Sequence, residues 1–222
     1  MKNAVQQFRD LPDPIATFER LFRAALKSLL RDLADAPWYV REREVVNLFV
    51  FGHLIPQFQD EKLDIGQVGI EVPVQKFPES SKAKLGKYAD IVVWLHNKAT
   101  VWLTCKPLVH IEWKNISCRE KNPSELERQH KQDICDLKRD RQFVCVSYAV
   151  LTDQRDRHVE LRCTRIADGM PEDFFSSPPR LPATCSESAI TVLQGDVQKV
   201  RSRRQGCPDC IVSERSRAAT NE

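Results

Sequence analysis

Soon after Pro12-Asp13-Pro14, apolar residues recur at helical spacing: Ile15, Phe18, Leu21, Phe22, Ala25, Leu26, Leu29 and Leu30. Steps of three and four residues put them on one face, which predicts an amphipathic helix with Asp13 available to cap its first turn. A second helical pattern follows Ala36-Pro37 and carries Val40, Val45, Val46, Leu48, Phe49, Phe51, Leu54 and Ile55. It is apolar around most of its circumference and is expected to be buried between other elements. The period then changes. Residues 67–77 alternate, while 88–95 and 108–114 are short apolar runs between polar or Pro-containing loops, so each predicts a strand. Thr100-Val101-Trp102-Leu103-Thr104 fits either an extra hairpin strand or an extension of its neighbour. Pro123 and Ser124 open a polar helix over 123–140, and two further strands follow at 143–151 and 158–165. The order is α-α-β-β-β-α-β-β, an α/β fold.

Beyond Asp168 the composition shifts. Pro171, Pro178, Pro179 and Pro182 crowd a Ser-rich stretch, and Arg201-Ser202-Arg203-Arg204 and Arg215-Ser216-Arg217 make the end basic. The expected organisation is a helical segment over 1–36, a core over 37–167 and a poorly ordered Pro/Ser-rich basic tail over 168–222, with a short helix near 190–200. At 222 residues and 41% hydrophobic content, the chain is long enough for one buried core and short for two enzymatic domains.

Charge adds little: 34 Lys and Arg against 31 Asp and Glu leave +3, which permits a nucleic-acid partner without arguing for one. No apolar run approaches the roughly 18 residues that span a bilayer, and the first residues lack a signal peptide's apolar core. A cytoplasmic protein without a membrane partner is expected. Cys135, Cys145 and Cys163 fall inside regular segments and are expected to be reduced. Cys207-Pro208-Asp209-Cys210 has the gap of a zinc knuckle but no second pair to complete four ligands. The histidines show no metal-ligand spacing, and neither a Gly-rich phosphate loop nor a Gly-x-Ser-x-Gly elbow is present.

The chemistry gathers on two strands. Over 108–114 the side chains alternate, so His110, Glu112 and Lys114 share one side and Val109, Ile111 and Trp113 the other. Taken alone, such a face is that of a solvated edge. The preceding strand, Lys87-Tyr88-Ala89-Asp90-Ile91-Val92-Val93-Trp94, carries a single carboxylate at the start of an apolar run, where Asp is disfavoured. Either Asp90 is a turn residue satisfied by nearby backbone, or it projects beside Glu112 as a ligand of a hard cation. Two such carboxylates leave a cation partly hydrated, which suits magnesium. Lys114 would then orient or deprotonate water and stabilise charge on a phosphate.

These residues resemble the PD-(D/E)XK nucleases over residues 41–151, half the chain. The family's Asp falls on Asp90 in Tyr-Ala-Asp-Ile-Val-Val, and its (D/E)-x-K on Glu112-Trp113-Lys114 in His-Ile-Glu-Trp-Lys-Asn. Ala89 stands where the name-giving proline would, a common departure in the family. The resemblance implies a restriction endonuclease-like core (α-β-β-β-α-β) with an extra N-terminal helix, and DNA as substrate. It implies Mg²⁺, or Mn²⁺, held by Asp90, Glu112 and the backbone carbonyl of Trp113. It also implies a carboxylate from the helix before the meander, which Glu42 or Glu44 would supply; Glu42, spaced helically from Val45, Val46 and Phe49, is favoured. The family's crossover helix falls on the stretch holding Gln132 and Lys138, which would contact phosphates. Because each site cuts one strand, double-strand cleavage requires a homodimer or sequential nicking. Relatives of this kind serve restriction or phage defence beside a partner NTPase or another defence subunit. Two rival readings are a catalytically inactive binding module on the same fold, and a structural subunit whose strand charges are solvated.

Overall fold

The computed structural model describes residues 5–35, 41–73, 88–96, 106–117, 120–155 and 158–177. They all belong to one unit, Met1–Pro182. The expected segment at 100–104, the short helix at 190–200 and the Cys207/Cys210 pair lie outside the described residues, as do Val40 and the end of the strand expected at 67–77. Cys135, Cys145 and Cys163 are free thiols. Among the described residues no helix is long and apolar enough to cross a membrane.

The first helix, α1 (Pro14–Asp35), buries Phe18, Leu21, Phe22, Ala25, Leu26, Leu29, Leu30 and Leu33 along one stripe. Asp13 caps it, its Oδ1 accepting from the Ala16 amide at 2.9 Å. The second helical stretch is continuous in space but not uniform: α2 (Glu42–Asn47) passes through a π-helical segment, Leu48–Leu54, into α3 (Ile55–Asp60). Its buried residues fall in two adjoining rows, Val45, Phe49 and His53 beside Val46, Val50, Leu54 and Phe58, each repeating every four positions. A 3.6-residue turn would carry these rows off the core; the wider π turns hold them on one face. The widening also accommodates Pro56, which lacks the N–H needed for a bond to Gly52. At the junction the Ile55 amide donates to the Val50 carbonyl, five residues back. Contrary to the expectation of burial around most of this helix, Phe51 is exposed, because the helix lies on one face of the sheet.

Six strands form one mixed sheet in chain order: β1 (Val68–Pro73), β2 (Tyr88–Val93), β3 (Val109–Ile116), β4 (Val146–Asp153), β5 (Glu160–Ala167) and β6 (Met170–Ser176). All neighbours are antiparallel except β3 and β4, which run parallel, joined through the crossover helix α4 (Pro123–Arg139). The fold is mixed α/β. The main core lies between the sheet and α1 to α3, where Phe18, Phe22, Phe49, Trp113, Tyr148 and Phe174 meet. On α4, Ile134 and Leu137 pack with Ala149 and Ile166 in a separate, smaller cluster. The sixth strand extends the sheet beyond the expected core boundary at 167, and its Phe174 stacks on Phe22 at 5.7 Å.

Candidate active site

The third of six strands, β3 is bonded along both edges, and seven of its eight residues are buried, so both of its faces are covered. Val109, Ile111 and Trp113 are fully buried in the main core; the Trp113 indole N–H donates to Thr152 Oγ1 at 2.7 Å and its ring lies 5.0 Å from that of Phe49. On the other face His110 and Glu112 are 2% and 4% exposed, and the Lys114 side chain 14%. This excludes a solvated edge. His110 Nε2 lies 2.8 Å from Glu112 Oε1, so the carboxylate is held by its own strand.

Asp90 stands where strand pairing lapses. The β2–β3 register runs Val93↔Val109, Val92↔His110, Ile91↔Ile111, and one step further would place Asp90 opposite Glu112. Instead, Asp90 Oδ2 accepts from the Trp113 amide at 2.6 Å, the side chain taking the place of the ladder. On the β1 side Ile70 pairs with Ile91 and Val72 with Ala89, while Glu71 between them adopts φ 50°, in the left-handed region. Such a conformation in a residue other than Gly costs roughly 1 kcal/mol or more. Burial, reinforced by the charge of Glu112, pushes the Asp90 carboxyl up to about 7. The Trp113 amide and Lys114 pull the other way without prevailing.

Lys114 gathers groups from both sides of the sheet. Its ammonium donates to the Trp113 carbonyl at 2.8 Å, lies 3.5 Å from Glu42 Oε1 on α2, and lies 3.4 Å from Asp133 Oδ2 on α4. The Trp113 carbonyl and Glu42 accept from the ammonium, and Asp133 completes its surroundings as an ion pair. Burial lowers its proton affinity, but the carboxylates of Glu42, Asp133, Asp90 and Glu112 outweigh that, and its pKa is raised. Glu42 is raised too, by burial first, with Lys114 opposing.

Of the expected residues, Asp90, Glu112, Lys114 and Glu42 converge. Glu44 does not join them: its Oε2 accepts from the Arg41 amide at 2.8 Å, closing the start of its own helix. The Trp113 carbonyl, expected to face a cation, is engaged by the Lys114 ammonium. On α4 the residues turned inward are His130, Asp133 and Leu137. Gln132 is exposed and donates to Asp136 Oδ1 at 2.9 Å, and Lys138 is half-buried five residues past Asp133, so neither belongs to the cluster. Asp133 and His130 are the members that the sequence reading did not single out. Burial pushes His130 down to about 4, with the charges of Arg162 and Lys114 adding to the effect.

Four carboxylates thus surround one ammonium, an excess of buried negative charge that fits a divalent cation. Among the described residues no group of three or more His, Cys, Asp or Glu side chains is drawn together to hold a metal by itself. Magnesium, which keeps several waters, is commonly held by one or two protein carboxylates, and Asp90 and Glu112, near enough for the charge of Glu112 to raise the Asp90 pKa, are the candidates for that role. No family model, curated protein or solved structure matches this chain.

Proposed function

We propose that this protein is a Mg²⁺-dependent nuclease of the PD-(D/E)XK type, hydrolysing phosphodiester bonds of DNA. The observation that carries the reading is the buried ionisable face of β3, with Asp90, Glu42 and Asp133 turned toward Glu112 and Lys114. Buried charges of this kind are costly to a fold and gather where chemistry needs them. The element order supports it as well: helix, antiparallel β1-β2-β3 meander, crossover helix, then β4 parallel to β3 is the α-β-β-β-α-β order that the family resemblance implies.

In this reading Asp90 and Glu112 hold the cation. Bound Mg²⁺ or Mn²⁺ supplies neutralisation of phosphate charge and a more acidic water. Glu112 is kept in place by His110, and Asp90 by the Trp113 amide. Lys114, beside the cation, orients the attacking water and stabilises negative charge on the phosphate. Water adds to phosphorus, one P–O ester bond breaks, and the leaving oxygen takes up a proton. A duplex would be cut through a homodimer or by sequential nicking. Restriction or phage defence beside a partner NTPase is the setting that the resemblance suggests.

Single-turnover cleavage of plasmid DNA in Mg²⁺, measured beside DNA binding in Ca²⁺, tests the reading. Glu112→Gln is expected to abolish cutting, and Lys114→Ala to slow it by at least ~100-fold, with DNA affinity only modestly reduced in the lysine variant. Full Mg²⁺-dependent cutting by Glu112→Gln would remove that residue from the mechanism, and a Lys114→Ala protein that binds poorly but cuts normally at saturation would make Lys114 a docking residue.

A further inference from the structure

The inward stripe of α4 is a place for apolar residues, and Leu137 fills it as expected. Asp133 breaks the pattern. Its side chain is only 13% exposed, and its Oδ2 lies 3.4 Å from Lys114 Nζ, on the far side of the sheet from the main core packing of α2. We propose that Asp133 is a positioning residue for Lys114, fixing the ammonium on the ionisable face of β3 together with Glu42 and the Trp113 carbonyl. The inference rests on the nuclease reading above.

Geometry gives the arrangement its purpose. Lysine ends a flexible four-carbon stem, and a charge meant to meet a phosphate in flight loses effect if it wanders. Glu42 approaches from α2 and Asp133 from α4, so the ammonium is held between two elements of different layers, with the carbonyl of its own strand as the third contact. Glu42 is the more exposed of the two carboxylates, at 37%. It can turn toward a cation or substrate while Asp133 keeps the lysine in place. The crossover helix would then contribute to the chemical step through this carboxylate, and not through Gln132 or Lys138.

The test is a double-mutant cycle in the full chain with Asp133→Asn and Lys114→Ala, read by single-turnover cleavage of plasmid DNA at saturating protein in Mg²⁺. Asp133→Asn is expected to slow cleavage by on the order of 10²-fold with DNA binding in Ca²⁺ nearly unchanged, and Asp133→Glu to restore part of the rate. In the Lys114→Ala background the same substitution should remove far less. A denaturant midpoint gives a second readout that needs no cleavage. Asp133→Asn should lower the midpoint of the parent more than that of Lys114→Ala, because only the parent holds the ammonium that this carboxylate meets. Equal fold-losses in both backgrounds, or none in the parent, would overturn the assignment while leaving the nuclease reading intact. A parent protein that never cuts DNA in Mg²⁺ would overturn the nuclease reading, and this inference with it.

Discussion

At His130 the fold keeps a base neutral. The ring is 8% exposed, and burial, with Arg162 and Lys114 nearby, takes its pKa from the ordinary 6.5 down to about 4. Between those values the unfolded chain binds a proton that the folded chain refuses. The contribution of His130 to stability is therefore full above pH 6.5 and is lost as the pH drops toward 4, by roughly 3 kcal/mol at most, while Asp90, raised to about 7, works in the opposite sense. The difference in denaturant midpoint between the parent and His130→Gln should move against the parent as the pH goes from 7.5 to 4.5; a constant difference would show that the fold does not hold the ring neutral. Sequence alone does not place this residue, nor Asp133. Within Gln129-His130-Lys131-Gln132-Asp133 every position is polar, and only the contact with the sheet decides which stripe turns inward. Asp90, Glu112 and Lys114 are legible because strand alternation is a rule of period two that needs no knowledge of the partner. Glu42 and Glu44 differ by about 200° around a helix axis, so the sequence leaves a choice that the Arg41 amide bond to Glu44 resolves.

Among the elements, β3 has the most to lose from a single change. Trp113 fills the space between the sheet and Phe49, and its indole N–H is satisfied by Thr152, so Trp113→Ala should cost roughly 3–5 kcal/mol. A denaturant midpoint near that of the parent would mean that the two faces of β3 are exchanged. The strand's assignment comes through from sequence because its apolar and ionisable sets alternate cleanly. The second helix comes through less well: its apolar residues are numerous enough to suggest burial all round, whereas the four-residue repeat of Val46, Val50, Leu54 and Phe58, read beside Pro56, is the mark of a widened turn. The sixth strand is hidden for another reason. Met170-Pro171-Glu172-Asp173 is exposed at the sheet's edge, where Pro and acidic residues are tolerated, so it carries the composition of a loop.

Across the whole molecule, the site depends on segments distant in sequence. Glu42, Asp90, Glu112 with Lys114, and Asp133 come from four elements, and the packing that supports them reaches Phe174. A chain ending at Ala167 would lose Phe174, and also Ser177, whose amide donates to the Leu161 carbonyl at 3.0 Å and whose Oγ accepts from the Leu161 amide at 2.9 Å. The Phe174 side chain alone is worth roughly 3–5 kcal/mol, a large part of the 5–15 kcal/mol that holds a domain together. Residues 1–167 are therefore expected to unfold or aggregate; a folded 1–167 fragment with the denaturant midpoint of the full chain would contradict this. Phe22 and Arg23 of the first helix both meet the Phe174 ring, the ring stacked on Phe22 and the guanidinium 4.1 Å from its centre. During synthesis the apolar face of this helix is covered in steps: Phe49 and Phe58 can meet it early, but the part around Phe22 and Arg23 waits for Phe174 until nearly all of the described chain has been made. No nascent chain short of that point holds the finished sheet, so the ionisable face of the third strand gains its complete core only after release of the last strand.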